Sequence, residues 1–136
     1  MSFSIRQTRD LVTLRKLEAK VMPEDLPVDS DHTFWLVRDG DGLPVGFCSA
    51  VYRPQLDYVF LSRAAIDPSV QGHGLQRRMI RARVAWARAQ GASRVITYTL
   101  LKNYASMVNL LREGFRFYHP DHKYVGDGVH YLMKDL

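Results

Sequence analysis

One short segment of the sequence has the residue types of a phosphate-binding loop. Residues 71–78 read Gln-Gly-His-Gly-Leu-Gln-Arg-Arg and lie between a predicted strand and a predicted helix. The first turn of a helix carries backbone N–H groups without intrahelical partners and the positive end of the helix dipole. Because Gly72 and Gly74 have no side chains, an anion can approach the backbone closely here. The segment therefore predicts a site for a phosphate or diphosphate.

The spacing within this segment excludes two common nucleotide-binding motifs. No Gly-Lys-Ser/Thr follows the glycines, as a P-loop requires, and the G-x-G-x-x-G spacing of dinucleotide-binding folds is not kept. A tight turn that leads into a helix remains the alternative interpretation, because a Gly-His-Gly sequence alone has low specificity.

Length and composition predict one globular domain over residues 1–136. The chain is 46% hydrophobic and 24% charged, which is typical of a folded protein with its own core. No apolar run reaches the roughly 18 residues of a membrane-spanning helix, and the N-terminus lacks the apolar stretch of a signal peptide. Cys48 is the single cysteine, which excludes an intramolecular disulfide and a multi-cysteine zinc site. We therefore expect a cytoplasmic protein without membrane association.

The net charge of +5, from 19 Lys and Arg against 14 Asp and Glu, indicates an anionic partner. Composition leaves open nucleic acid, an acidic lipid surface and a phosphorylated small molecule. The sequence contains no helix-turn-helix, RNP or zinc-finger pattern, which argues against nucleic acid.

Hydrophobic periodicity and turn residues predict the order β-α-β-β-β-α-β-α-β-β. Pro23 and Pro27 end the first helix, and Asp39–Gly42 has the composition of a hairpin turn. A strand, helix and strand in the middle imply one parallel crossover in a mostly antiparallel sheet. The predicted strands are Phe3–Arg6, Thr33–Arg38, Pro44–Tyr52, Tyr58–Ile66, Arg94–Leu101, Phe115–Tyr118 and Val129–Lys134. The predicted helices are one capped by Thr8 and running to Val21, one from Leu75 to a cap at Gly91, and one over Asn103–Arg112.

Four segments resemble the signatures of the GCN5-related N-acetyltransferase (GNAT) superfamily. Residues 66–75 (IDPSVQGHGL) are similar to its Gln/Arg-x-x-Gly-x-Gly/Ala motif, and residues 103–115 (NYASMVNLLREGF) are similar to its Asn-x-x-Ala/Ser helix that ends in Gly-Phe. Residues 45–47 (VGF) resemble its third strand, and residues 131–136 (YLMKDL) resemble its C-terminal strand. The segments keep the family's order and cover nearly the whole chain.

The resemblance implies an α/β (α+β) fold with one mixed, mostly antiparallel sheet, splayed central strands and flanking helices. It implies acetyl-CoA as cosubstrate and no metal. Backbone groups of the fourth strand would pair with the pantetheine arm like an added strand, the glycine segment would hold the pyrophosphate, and the third helix would meet the pantetheine from the opposite wall. The implied cofactor-binding residues are Ala64, Ala65, Ile66, Gln71, Gly72, His73, Gly74, Leu75, Gln76, Arg77, Asn103 and Ser106.

Two positions depart from the family pattern. Gln76 stands where the motif usually has Gly or Ala, so its side chain must point away from the phosphates or contact them itself. Leu110 stands seven residues after Asn103, where many members place a tyrosine that protonates the departing CoA, so this role cannot be carried over. A thiol with a pKa near the cysteine value of about 8.5 leaves readily, so we expect a slower reaction rather than none.

The attacking amine needs more help than the leaving thiol, because a lysine-like amine with a pKa of about 10.4 is mostly protonated at neutral pH. Tyr98 is the predicted general base, since its strand borders the expected cleft. Tyr104 and Tyr118 are alternatives, and ordinary packing is the alternative for all three. The backbone N–H of Ile66 is predicted to polarise the thioester carbonyl.

Other reactive residue types receive structural interpretations. Residues 119–124 (HPDHKY) contain ligand types in a spacing that fits no zinc pattern, so we interpret them as a polar loop beside the acceptor pocket. Asp31 and Asp57 are interpreted as solvated loop carboxylates, and Cys48 as a small buried apolar residue.

The second predicted helix carries five arginines. Arg77 or Arg78 is predicted to contact the CoA phosphates, because both lie in the opening turns. Arg83 and Arg88 are interpreted as solvated residues on the outer side of the helix.

These observations predict an N-acetyltransferase that transfers the acetyl group directly from acetyl-CoA to a primary amine of a small molecule, peptide or protein. A catalytically silent CoA-binding module is the alternative within the fold, motivated by Gln76 and Leu110. A basic nucleic-acid-binding protein is the alternative from another class, and a homodimer is left open.

Overall fold

Seven strands form one mixed sheet in the computed structural model, which describes residues 2–136. The strands are β1 (Ser4–Thr8), β2 (Thr33–Arg38), β3 (Pro44–Arg53), β4 (Tyr58–Ile66), β5 (Arg94–Leu100), β6 (Arg116–Phe117) and β7 (Val129–Asp135). The helices are α1 (Leu11–Val21), α2 (Leu75–Gln90) and α3 (Tyr104–Arg112). The strand order is β1-β2-β3-β4-β5-β7-β6, and β4–β5 is the parallel pair among antiparallel neighbours. The predicted element order and parallel crossover are confirmed.

Each face of the sheet has its own apolar core. On one face, Met79 and Val84 of α2 pack with Val59 and Val95 of the two central strands. On the other face, α1 packs against β2, β3 and β4; the buried residues there include Leu14, Leu17, Phe34, Phe47 and Ala65. We call the face covered by α1 the α1 face.

The two central strands separate after a short parallel ladder. Pairing between β4 and β5 covers Tyr58–Arg94, Val59–Val95 and Phe60–Ile96. Beyond Phe60, β4 continues to Ile66 and β5 continues to Leu100 without further pairing between the two. The splayed sheet that the family resemblance implies is therefore present, and it opens a cleft toward the end of β4.

A β-bulge interrupts β4 at the start of this cleft. Ala50 of β3 lies opposite Leu61, whereas the neighbouring Ser49 lies opposite Arg63, so Ser62 is the extra residue. A bulge bends its strand and redirects the side chains around it.

Arg83 of α2 lies directly beneath the bulge. Its side chain donates hydrogen bonds to the carbonyls of Ser49 (3.2 Å) and Arg63 (3.4 Å), and also to the carbonyl of Met79 (3.1 Å). The residue is 4% exposed, so the interpretation of Arg83 as solvated was wrong. The helix turns this position toward the sheet, and the irregular strand supplies carbonyls that can accept from a guanidinium.

The first helix also begins differently from the prediction. The N-cap is Asp10, whose carboxylate accepts from the Thr13 backbone N–H at 3.1 Å, so the predicted cap at Thr8 was wrong. The Thr8 hydroxyl instead accepts from the N–H of Asp10 at 3.1 Å, which holds the turn between β1 and α1.

Candidate active site

The cleft between β4 and β5 is lined by backbone groups of β4. The Asp67 N–H donates to the Val45 carbonyl at 2.7 Å, so the backbone groups of Asp67 face β3. The preceding residue, Ile66, lies opposite Gly46 of β3. Successive residues of a strand direct their N–H and C=O groups to alternate sides. The amide groups of Ile66 and Ala64 therefore face the cleft, where an extended ligand can pair with them, whereas those of Ala65 face β3.

The glycine segment forms the loop that was expected to hold a phosphate. Gly72 and Gly74 have φ angles of 86° and 70°, a region that favours glycine, and a Cβ at either would meet open space. The first backbone bond of α2 runs from the Arg78 N–H to the Gly74 carbonyl, so the preceding N–H groups have no helical acceptor. No side chain caps the helix, and its first turn has no acidic residue. An anion fits this position.

The arginines of α2 have defined partners. Arg77 donates from Nε (3.0 Å) and from its terminal nitrogen (2.7 Å) to one oxygen of Glu113, and Arg81 pairs with the same carboxylate. These contacts hold the pKa of Glu113 below its usual value, chiefly through the bond from Arg81. Arg78 donates to the Phe3 carbonyl at 3.2 Å. The predicted phosphate contact of Arg77 stays a prediction, and its side chain is engaged by Glu113.

His73 and Gln76 complete the loop. The His73 ring lies against Phe3, with 5.1 Å between ring centroids, although the residue as a whole is exposed. Gln71 is exposed, Gln76 is half-buried in the first turn of α2, and Leu75 is in the core.

Asn103 and Ser106 lie at the start of α3. The Asn103 carboxamide oxygen accepts from the Ser106 backbone N–H at 3.3 Å, so Asn103 caps the helix. Leu110 is buried in the core against the sheet, 4% exposed. The position where many relatives carry an acidic tyrosine therefore contributes packing in this chain.

An aromatic group lies on the α1 face beside the cleft. Tyr98 stacks on Phe60 with 6.2 Å between centroids, and Tyr124 packs against Phe60 at 5.7 Å. The Tyr124 hydroxyl donates to the Thr97 carbonyl at 3.2 Å and lies 3.3 Å from the Tyr118 hydroxyl. Burial raises the pKa of both Tyr118 and Tyr124, so both phenols remain protonated at neutral pH. Tyr104, the other alternative base, lies at the start of α3 with an exposed side chain.

A polar group that no sequence motif marks lies on the same face. His32 Nδ1 lies 2.9 Å from the Ser62 hydroxyl, which lies 2.7 Å from the Ser49 hydroxyl. His32 Nε2 is 3.8 Å from a carboxylate oxygen of Asp31, a residue that is exposed as expected. Within residues 2–136, Asp29, Asp31 and His32 are also the group of ligand types close enough to share a cation. Ser62 joins them because it follows Leu61, which is buried on the opposite face, so strand alternation places the Ser62 side chain here.

The remaining reactive residues have structural surroundings. Cys48 is fully buried, and this burial raises the pKa of its thiol to about 11, which agrees with its interpretation as an inert core residue. Asp57 is exposed, and its carboxylate accepts from the Ser93 N–H at 3.1 Å. The Tyr131 hydroxyl accepts from the Val125 N–H and donates to the Gly126 carbonyl, which fixes the loop before β7. No helix within residues 2–136 has the length and hydropathy to cross a bilayer.

Comparisons with known proteins agree with this geometry. The family model described as the acetyltransferase (GNAT) family matches residues 6–115. No curated protein sequence matches the chain.

Several solved structures share the fold at low sequence identity. An IAA acetyltransferase from Bacillus cereus superimposes with a TM-score of 0.81 at 15% identity, over 99% of this chain and 100% of that one. A Bacillus subtilis acetyltransferase in complex with CoA gives 0.79 at 18% identity, with 99% of both chains covered. The ribosomal-protein-S18-alanine N-acetyltransferase of Escherichia coli gives 0.75 at 17% identity, over 98% and 94%. With a family model that spans most of its length and a splayed sheet of the same architecture, this chain belongs to the GNAT family of acetyltransferases.

Proposed function

We propose that this protein transfers the acetyl group of acetyl-CoA directly to a primary amine of a small molecule, peptide or protein. The observation that carries the proposal is the alignment of two backbone surfaces. The cleft-facing amides of Ala64 and Ile66 lead along the chain to the uncapped N-terminus of α2. A pantetheine arm and a diphosphate are joined in the same order.

The chain would hold the cosubstrate mainly through its backbone. Residues 64–66 pair with the pantetheine as an added strand, and the loop and first turn from Gln71 to Arg77 bind the pyrophosphate. Asn103 and Ser106 border the opposite side at the start of α3. The Ile66 N–H faces the cleft beside the phosphate-binding loop and would pair with the near end of the pantetheine arm, so its predicted role at the thioester carbonyl is not carried into this proposal.

The acceptor would bind on the α1 face. There the aromatic group around Tyr98 and Tyr124 lies on one side of β4, and a groove of about 190 Å³ lies on the other, between the end of α1 and Arg63. The solved structures of this fold include one named as an IAA acetyltransferase and one named as a ribosomal-protein-S18-alanine N-acetyltransferase. Because the same architecture carries such different acceptors, the acceptor must be found by experiment.

Two measurements test the proposal in sequence. Isothermal titration calorimetry with acetyl-CoA is expected to show binding, and its absence would contradict the proposal at its base. Thiol release from acetyl-CoA is then measured with alkylamines, amino acids, polyamines, aminoglycosides and peptides. Release that depends on an amine, with the acetylated product seen by mass spectrometry, supports direct transfer.

A catalytically silent CoA-binding module is the second candidate, favoured by the buried Leu110 at the position of the usual acid. It predicts acetyl-CoA binding without amine-dependent thiol release. Binding to nucleic acid is less favoured, since Glu113 neutralises part of the α2 arginine cluster. It would appear as binding to generic duplex DNA with a steep dependence on salt.

A further inference from the structure

We propose that His32, acting through the Ser62 hydroxyl, is the general base that removes a proton from the acceptor amine. The inference rests on the proposed function and adds a catalytic pair that lies outside every motif of the sequence. It is carried by the position of Ser62 at the closed end of the cleft and by the hydrogen bonds that connect it to His32.

The direction of β4 places the reacting thioester near Ser62. The phosphate-binding loop follows Ile66, so a pantetheine arm that starts there runs back along β4 past Ala64. Ser62 is two residues further, about 7 Å at the usual strand rise. Pairing of β4 with β5 closes the cleft at Phe60, so the arm ends between Ala64 and this point.

Three side chains form a chain of hydrogen bonds at this end. The Ser49 and Ser62 hydroxyls are 2.7 Å apart, and Ser62 lies 2.9 Å from His32 Nδ1. When Ser62 donates to Nδ1, the imidazole proton resides on Nε2, which faces Asp31 at 3.8 Å. Ser62 can then accept a proton from a substrate while it passes its own to His32, and Asp31 stabilises the imidazolium that forms.

The surroundings of His32 favour the neutral form that a base requires. Burial lowers the pKa of His32, and Arg53 acts in the same direction. Asp31 and Asp29 oppose this shift, but the pKa remains below the usual 6.5. The ring is therefore mostly neutral at pH 7 and ready to take a proton.

The proton and electron balance of the step is complete. An acceptor ammonium gives one proton to Ser62, whose own proton moves to His32 Nδ1. The neutral amine nitrogen then forms a bond to the thioester carbon and loses its second proton to solvent as the amide forms. The carbon–sulfur bond breaks, and the thiolate leaves with the electron pair and is protonated from solvent. Imidazolium returns its proton to solvent.

His32→Gln tests the assignment, because glutamine can keep a hydrogen bond but cannot act as a base. With an alkylamine at pH 7, kcat is expected to fall about 10²–10⁴-fold. An arylamine is already unprotonated at neutral pH, so its acetylation should fall far less. Equal losses with both amines would contradict the assignment and indicate a structural role for His32.

The pH profile gives a second readout. For the wild-type protein and an alkylamine, kcat/KM should be level between the pKa of His32 and that of the amine, and should fall on the acid side. In His32→Gln only the free amine reacts, so kcat/KM should rise about tenfold per pH unit up to the amine pKa. A level profile in the variant would overturn the proposal.

Ser62 and Tyr98 supply the matched variants. Ser62→Ala should reproduce the His32→Gln profile, and Ser62→Thr should restore activity because it keeps a hydroxyl. Tyr98→Phe tests the alternative base: a sloped profile in this variant beside a level profile in His32→Gln would assign the base to Tyr98 and overturn the proposal. Acetyl-CoA affinity, measured for each variant, should be unchanged and shows that the variants are folded.

Failure of the two proposals is distinguishable. A wild-type protein that binds acetyl-CoA but acetylates no amine contradicts the proposed function, and the base assignment with it. If the wild-type protein and His32→Gln acetylate an amine at the same rate, only the base assignment is contradicted.

Discussion

Thr97 and Thr99 lie on the same face of β5 and are similarly buried, yet the Thr97 hydroxyl is hydrogen-bonded and the Thr99 hydroxyl, within residues 2–136, is not. The residues are 6% and 4% exposed. Thr97 donates to the Leu61 carbonyl at 3.0 Å, across the point where β4 and β5 separate. The Thr99 hydroxyl has no hydrogen-bond partner within residues 2–136. Thr97 thus replaces the first ladder bond that the splayed strands lose.

Substitution of each threonine by valine, which has nearly the same shape, measures this difference. Thr97→Val should lower the free energy of unfolding by about 1–3 kcal/mol, because it leaves the Leu61 carbonyl unpaired. Thr99→Val should be neutral or stabilising, because it removes a buried hydroxyl without a partner. Urea unfolding monitored by circular dichroism gives both values, and equal losses would contradict this role of Thr97.

Gly74→Glu tests the phosphate-binding loop. The substitution places a negative charge at the N-terminus of α2, so acetyl-CoA affinity should fall about tenfold or more. Calorimetry measures the affinity. Gly42→Glu is the matched control, since Gly42 also has a positive φ and open surroundings but lies in the β2–β3 turn. Both variants carry similar backbone strain, and unchanged affinity in Gly74→Glu would remove the loop from the binding site.

Gly46→Ala tests the close approach of β3 to β4, the strand proposed to pair with the pantetheine arm. A Cβ at Gly46 would lie 2.7 Å from Ile66 Cδ1 and 2.9 Å from the Ala65 carbonyl, so β4 must shift. We expect a loss of about 1–3 kcal/mol in unfolding free energy and weaker acetyl-CoA binding. Gly40→Ala, whose nearest contact would be 3.4 Å from Ser2 Oγ, should leave both unchanged. Wild-type affinity in Gly46→Ala would show that binding tolerates movement of β4.

Glu113 predicts a pH-dependent contribution to stability. Its pKa is lowered from 4.5 by Arg81 and Arg77, so the ionised form is favoured in the folded protein. Its stabilising effect is therefore present above pH 4.5 and is lost as the pH falls through the lower, folded-state pKa. Urea unfolding should show that wild type is more stable than Glu113→Gln at pH 7, with a difference that shrinks in acid. Asp127→Asn, which removes an exposed pair with Lys123, should have a much smaller effect. A pH-independent difference would contradict the assignment.

Local sequence patterns were sufficient for most elements and for the position of the glycine loop before α2. Periodicity placed α2 and α3, and Gly72 and Gly74 marked a loop whose geometry requires glycine. The turn at Asp39–Gly42 and the parallel crossover followed from residue types and from the order of elements.

Features that depend on non-local contacts could not be predicted from the sequence in the same way. The bulge at Ser62 arises from the pairing of β3 with β4, and no residue type in the sequence indicates it. Arginine is usually solvated, but Arg83 is buried because the bulge exposes carbonyls to α2. His32 and Ser62 are 30 positions apart in the chain, so no local pattern predicts their contact. The choice between Asp10 and Thr8 as N-cap depends on where the chain leaves β1.

The burial of Arg83 has an electrostatic consequence for the chemistry of the cleft. Among residues 2–136, three backbone carbonyls accept from this guanidinium, and none of the ion pairs includes it. A guanidinium remains charged at neutral pH, so a permanent positive potential originates beneath the bulge of β4. Such a potential lowers the pKa of an ammonium group brought near it and stabilises a departing thiolate. In the proposed transfer, this potential would favour a neutral nucleophile and an anionic leaving group.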